Sequence, residues 1–284
     1  MGAEALAAVL AVVTAFLYTA GLAMQQRGNL DAMRSETGAT ATSGAVVAVL
    51  KRPMWLLGNL VGFAGFGVQA LALAFGPFLL VVPILATELA FMVPAGAWVV
   101  RSRVQRSEWA PAIMVLVGVA VFEVAFRPQP GRDTGTAGAW IVTFAVSIVL
   151  IAALFALGRA LPDYRAALYG CGAGTWAALL GALLKDVTGG SLWALAAIAV
   201  AGPLNVVLLN IAVRAGRLSS AQTTVVAIGT VVSLVVGVAV FSETVQLGVW
   251  SVVAGIAAVA VAGWGIAGLA RSPSLLVLDE ISHE

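Results

Sequence analysis

Residues 77–100 comprise 24 positions and a single charge, Glu88. A helix needs about 20 apolar residues to cross the hydrocarbon core of a bilayer. Similar runs recur at 5–24, 54–75, 78–100, 110–126, 139–157, 166–184, 191–213, 219–241 and 247–270. They leave the chain few alternatives to a helical membrane bundle. The sequence is 61% hydrophobic and 10% charged, with a mean hydropathy of +1.04. Soluble domains are about 25% charged, and no water-soluble fold of 284 residues hides this much apolar surface. A β-barrel reads as short alternating segments, not as long continuous runs. The sequence therefore predicts an all-α polytopic membrane protein with nine transmembrane helices. The connection at 25–53 turns apolar at 45–50, too short to span. We read it as an interfacial helix; counting it as a tilted span gives ten.

Charge sets an orientation. Cytoplasmic loops carry the excess of Lys and Arg. With nine spans and an outer N-terminus, only Arg127, Arg132 and Lys185 lie outside. The other twelve of the 15 basic residues (15 − 3) lie inside. With ten spans Arg27 and Arg34 change sides, and the bias falls to ten against five (12 − 2 and 3 + 2). The multi-pass chain is thus expected in the cell membrane, with residues 1–270 as one transmembrane domain and 271–284 as a cytoplasmic tail. The run at 5–24 lacks a basic flank and a small-x-small cleavage site, so it reads as a retained helix. Cys171 is the only cysteine, which excludes an intrachain disulfide. The net charge of +2 comes from short basic loops rather than a nucleic-acid-binding surface.

Glu88 lies near the middle of its span. A bare carboxylate there costs a few kcal/mol even on lenient insertion scales. It must face a polar cavity, pair with a cation or carry a proton. Pro83 and Pro94 flank it, and each proline removes a backbone donor and frees a carbonyl upstream. Such a span can bend beside a cavity. No basic residue lies near the middle of any span, so the expectation for Glu88 is protonation or solvation rather than a buried salt bridge.

Polar and small residues form stripes at helical spacing: Thr14, Tyr18, Gly21 and Gln25; Asn59, Gly62, Phe66 and Gln69; Gly174, Ala178, Gly181 and Lys185; and Gln222, Val226, Gly229, Ser233 and Gly237. Residues three and four apart share a face. These faces fit either a polar cavity or close helix packing through small residues. Gln69 and Gln222, carboxamides inside spans, point towards a cavity, and Asn205 is the better placed of the two asparagines of the seventh span. Tyr18 and Lys185 complete the candidate binding or coupling set. Lys185 fits a snorkelling lysine, an ion pair with Asp186 closing an outer gate, or a counter-charge for an anionic substrate. Glu123 is expected to pair with Arg127 at i,i+4. Trp55, Trp109, Trp193 and Trp250 flank span ends as interfacial belts, and Trp176 either lines a cavity or fills packing space.

Enzyme signatures are missing from the sequence. The stretch Gly170-Cys171-Gly172-Ala173-Gly174 has a superficial dinucleotide-loop look, but no strand precedes it. The single histidine, His283, lies in the tail, which makes a zinc or copper site improbable. No cofactor is expected.

A weak internal echo divides the domain into repeats of about 1–127 and 138–270. Gly76-Pro77 and Gly216-Arg217 each open an apolar span, and Trp109 and Trp250 follow those spans. An odd number of spans separates the matching helices, so the halves would face opposite ways, as in inverted-repeat transporters.

The segments Lys51-Arg52-Pro53-Met54-Trp55-Leu56-Leu57-Gly58, Gln69 to Pro77 and Pro83-Ile84-Leu85-Ala86-Thr87 resemble the drug/metabolite transporter superfamily, most closely the bacterial members related to NIPA-type magnesium transporters. Phe241-Ser242-Glu243 is similar to the Gly-Glu that commonly ends the penultimate span of EamA-like members, with Ser242 in place of the glycine. The first half has Arg101-Ser102-Arg103 at the matching place. The resemblance implies an inverted-repeat helical bundle around a central cavity, often a homodimer. The resulting expectation is a secondary transporter of a small solute with Glu88 as the coupling or binding carboxylate. Magnesium transport is the second reading. A third is a membrane scaffold or accessory subunit, in which the polar stripes are packing.

Overall fold

A computed structural model of the protein describes residues 2–35, 52–101, 104–215, 218–246 and 248–269. The interfacial segment 45–50 and the tail 271–284 lie outside them. The described helices are α1 (Ala3–Ser35), α2 (Pro53–Phe75), α3 (Phe78–Leu85), α4 (Glu88–Val100), α5 (Arg106–Phe126), α6 (Ala137–Ala160), α7 (Arg165–Thr188), α8 (Leu192–Arg214), α9 (Leu218–Phe241) and α10 (Val249–Leu269). Among the described residues nine helical spans are long and apolar enough to cross a membrane, with α3 and α4 together making the third.

Most boundaries fall within a few residues of the hydrophobic runs, and the local chemistry accounts for them. Pro53 starts α2 where its missing N–H costs nothing. Thr136 caps α6, its hydroxyl accepting from the N–H of Ala139 at 3.3 Å. Gln105 and Glu108 form a capping box at the start of α5, which begins earlier than its apolar run. The first helix differs most: it continues to Ser35, past the end of hydrophobicity at Met24. Packing supports the added turns, since Gly28 lies against the backbone of Trp55 and Arg27 sits 4.7 Å over the Trp98 ring.

Helix packing forms two groups of three spans. In the first, α1 packs along both α2 and the α3–α4 span, while α2 and α3 touch lightly. In the second, α7 packs along both α8 and α9, while α8 and α9 touch lightly. Contacts of α3 with α9 and of α2 with α7 join the groups, and α5 and α10 pack against each other outside both. Glycine makes the close approaches. A side chain on Gly21 would meet the Gly58 carbonyl oxygen at 2.8 Å, and one on Gly118 would meet the Ala258 carbonyl oxygen at 2.8 Å. Gly174 lies against Val225 and Gly229. The small-residue stripes of α1 and α2 therefore meet each other, as do those of α7 and α9, and at these glycines they are packing seams.

Candidate functional site

The third span is interrupted once, at Ala86-Thr87, one residue before Glu88. Pro83 is the local cause. It has no N–H, so the Leu79 carbonyl loses its usual partner. Past it, the backbone tightens into i→i−3 bonds: Ala86 N–H to Pro83 O at 3.1 Å, Thr87 N–H to Ile84 O at 3.0 Å and Leu89 N–H to Ala86 O at 3.2 Å. Pro94, by contrast, lies inside an intact α4. Glu88 thus opens the second half-helix. Its carbonyl accepts from the Thr19 hydroxyl at 3.1 Å, which ties the turn to α1.

Two predicted partners gather at this level. The Tyr18 hydroxyl donates to Gln69 Oε1 at 2.5 Å, and Tyr18 adjoins Thr19, whose hydroxyl holds the Glu88 carbonyl. Gln69 is buried and borders Gly181 of α7. No ion pair of Glu88 occurs among the described residues. Two grooves flank the turn, and both are almost entirely apolar. One, of about 240 Å³, runs between α1 and α4 past Thr19, Phe91 and Pro94. The other, of about 180 Å³, lies among α3, α5, α9 and α10 past Pro83, Ala86 and Thr230.

The other predicted residues scatter. Asn205 is half-buried on α8, which packs chiefly on α7, and no hydrogen bond joins it to Glu88, Tyr18 or Gln69. Asn210 is exposed and bonds the Val206 carbonyl one turn back. Gln222 is in α9, with its side chain outside the described residues. Trp176 donates to the Ala201 carbonyl at 2.9 Å and staples α7 to α8.

Lys185 occupies a second centre. Its side chain and that of Glu243 are 7% and 0% exposed, and Nζ lies 3.2 Å from Oε1. Snorkelling is therefore corrected: this ammonium points into protein. The pairing with Asp186 is corrected too, because Asp186 Oδ1 instead accepts from the Gly135 N–H at 2.6 Å. Glu243 also accepts from the first two free N–H groups of α3, Phe78 to Oε1 and Leu79 to Oε2, each at 2.7 Å. A carboxylate there satisfies orphan donors and complements the helix dipole. Lys185 Nζ further reaches the Gly76 carbonyl at 3.5 Å and lies 5.5 Å over the Phe241 ring. A buried salt bridge thus exists, at one end of the bundle rather than around Glu88.

Ser242 places Glu243. It adopts a left-handed conformation, φ 53, and its N–H bonds Val238 O at 3.1 Å, the αL form of helix termination. The chain reverses there and Glu243 enters the bundle. Glycine adopts this conformation freely, which gives a physical reason for Gly-Glu at such a place.

The segment 127–136 folds over this centre. Gln129 and Thr244 bridge in antiparallel fashion, and the Arg132 N–H reaches Phe241 O at 2.6 Å. Trp140 stacks on Phe144 and meets Trp193 and Phe241 edge-on. The expected Glu123–Arg127 pair is absent: both Glu123 carboxylate oxygens are buried without a hydrogen-bond partner among the described residues. Arg127 takes φ 41 to end α5, bonding the Glu123 carbonyl instead. Asp186 Oδ2 and Trp140 Nε1 likewise lack partners among the described residues.

No family model matches the chain, and no solved structure matches it. The chain is 28% identical over 161 residues to an uncharacterized protein of Corynebacterium glutamicum, a match covering 56% of this chain and 54% of that protein. The match spans about half the length of that relative, and it carries no activity to this chain.

Proposed function

We propose that the protein is a secondary transporter of a small solute in the drug/metabolite transporter mould, with Glu88 as its coupling or binding carboxylate. The observation that carries the reading is Glu88 at the turn between two half-helices, beside the Tyr18–Gln69 pair and without an ion pair among the described residues. Discontinuous helices near the midplane form the substrate and ion sites of many carriers. The packing pattern supports an inverted repeat. Spans one, two and three match six, seven and eight in which pairs pack closely and which pair barely touches. Matching spans lie five apart and so cross in opposite directions.

Glu88→Gln tests the reading. Purified protein in liposomes is given a pH gradient and a panel of small organic cations, amino acids and magnesium. Solute-dependent collapse of the gradient is measured with and without the substitution. The wild type is expected to collapse it for at least one solute, and the variant to lose that proton movement. Equal proton movement by both proteins would sink the coupling role. Magnesium prefers oxygen ligands and keeps several of its waters, so rescue of a magnesium-uptake-deficient host would select it as cargo.

A membrane scaffold is the competing reading. The glycine seams between α1 and α2 and between α7 and α9 favour it, because they assign part of each polar stripe to packing. Flux of any solute through the purified protein excludes it.

A further inference from the structure

We propose that Lys185 and Glu243 form the latch of a gate at the end of the bundle that carries 127–136, and that α3 is the moving element. This deepens the transport reading and rests on it for its purpose, though its test needs no solute.

Three elements meet at one carboxylate. Glu243 follows the end of α9, Lys185 belongs to the last turn of α7, and the bonded N–H groups begin α3. The Lys185 contact with Gly76 O adds the end of α2. A buried ion pair suits a reversible closure. Loss of hydration largely offsets the attraction of the charges, so the net stabilisation is small while the geometry is specific. Water entering the gap hydrates both charges and lowers the cost of parting them. An apolar seam offers no such return.

The moving element is defined by its ends. Helix α3 has eight residues and terminates at the tight turn Ala86-Thr87. Beyond that turn α4 is held to α1 through Thr19 and the Glu88 carbonyl. A swing of α3 about 86–87 would part its first turn from Glu243 while α4 stays in place. Glu88 sits at the pivot, so a proton or ligand there acts on the same lever that the latch holds.

The test reads accessibility. Ala182 is fully buried, one turn inward of Lys185, in the same core cluster as Phe78. Ala182→Cys in a Cys171→Ser background is labelled with a membrane-impermeant maleimide in vesicles of both orientations. Labelling is expected to be slow. Adding Glu243→Gln leaves Lys185 buried without its counter-charge, and labelling should rise about 10-fold or more, only from the face carrying 127–136. Adding Lys185→Met to Glu243→Gln removes the unpaired charge and should return the rate most of the way to the parent. Unchanged labelling in Glu243→Gln overturns the latch. So does labelling that rises equally from both faces, or a double variant as fast as the single, since each marks loosened packing. Expected labelling in a protein whose proton movement ignores Glu88→Gln would keep the latch and remove the coupling reading. Glu88-dependent flux with unchanged labelling would do the reverse.

Discussion

Glu88 and Glu243 are both acids of the transmembrane domain, and their surroundings are opposite. Glu243 is saturated: two backbone N–H groups and an ammonium surround a side chain that is 0% exposed. Glu88 is tied through its carbonyl to Thr19, next to the Tyr18 that bonds Gln69, and has no cation paired with it among the described residues. A saturated carboxylate is held by its partners. One left without a counter-charge at the middle of a span can bind or carry something. The difference separates a closure from a site, and it does so by partner chemistry rather than by depth alone.

The largest expected effect comes from emptying the saturated side. Glu243→Ala leaves a buried ammonium and two helix N–H groups without their partner. Breaking a buried pair by removing one member costs about 3–5 kcal/mol. Unfolding of the purified protein in mixed detergent–SDS micelles should register a loss of that order. A loss below about 1 kcal/mol, the range of exposed ion pairs, would break the comparison, because Glu243 would then behave as a surface charge.

Glu88→Gln should do the converse. It removes no pairing seen among the described residues, so stability should shift by less than about 1 kcal/mol, as for sites away from core networks. Its effect belongs to transport: solute-driven proton movement should fall by about 10-fold or more, equivalent to about 1.4 kcal/mol. A stability loss as large as that of Glu243→Ala would place Glu88 among the structural acids.

Tyr18→Phe lies between the two. It deletes the hydroxyl bonded to Gln69 while keeping the ring that covers Gly65. Interhelical side-chain hydrogen bonds in membranes average about 0.6 kcal/mol and reach about 1.7. The same unfolding assay should return a loss in that range, and proton movement should persist with an altered pH profile. An unchanged profile would detach Tyr18 from Glu88.

The spans were legible because hydrophobic length needs no tertiary information. Eight of the nine end within about four residues of their apolar runs, and α1 overran its apolar stretch because Arg27 and Gly28 find partners on α4 and α2. The turn beside Glu88 was foreshadowed by Pro83, but Pro94 looked equally disruptive and is absorbed within α4. Lys185 and Glu243 are 58 positions apart (243 − 185), and no periodicity links them. Even so, a signal existed. The charge-based orientation put the end of the sixth span and the end of the eighth on the same side. A lysine and a glutamate stranded together there should have been paired. The Asp186 and Glu123 pairings failed for a shared reason: neighbours in sequence were preferred, whereas the backbone of 127–136 and the reversal at Arg127 redirect those groups.

The smallest predicted effect concerns how Glu243 is aimed. Ser242 has φ 53, and Arg101, 141 positions earlier (242 − 101), has φ 56. Both end a span in the left-handed conformation, but only Ser242 is followed by an acid that enters the bundle. A non-glycine residue in this conformation costs about 1–2 kcal/mol. Ser242→Gly removes that cost while making the unfolded chain more mobile, a penalty of about 0.5–1 kcal/mol. The net expectation is stabilisation of about 0.5 kcal/mol, read by the same unfolding assay, with labelling at Ala182→Cys unchanged. If the substitution instead destabilises and speeds labelling, the rigidity of Ser242 is part of what holds Glu243 on α3. The contrast between the two acids would then extend to their backbones: one fixed by its turn, the other placed at a pivot.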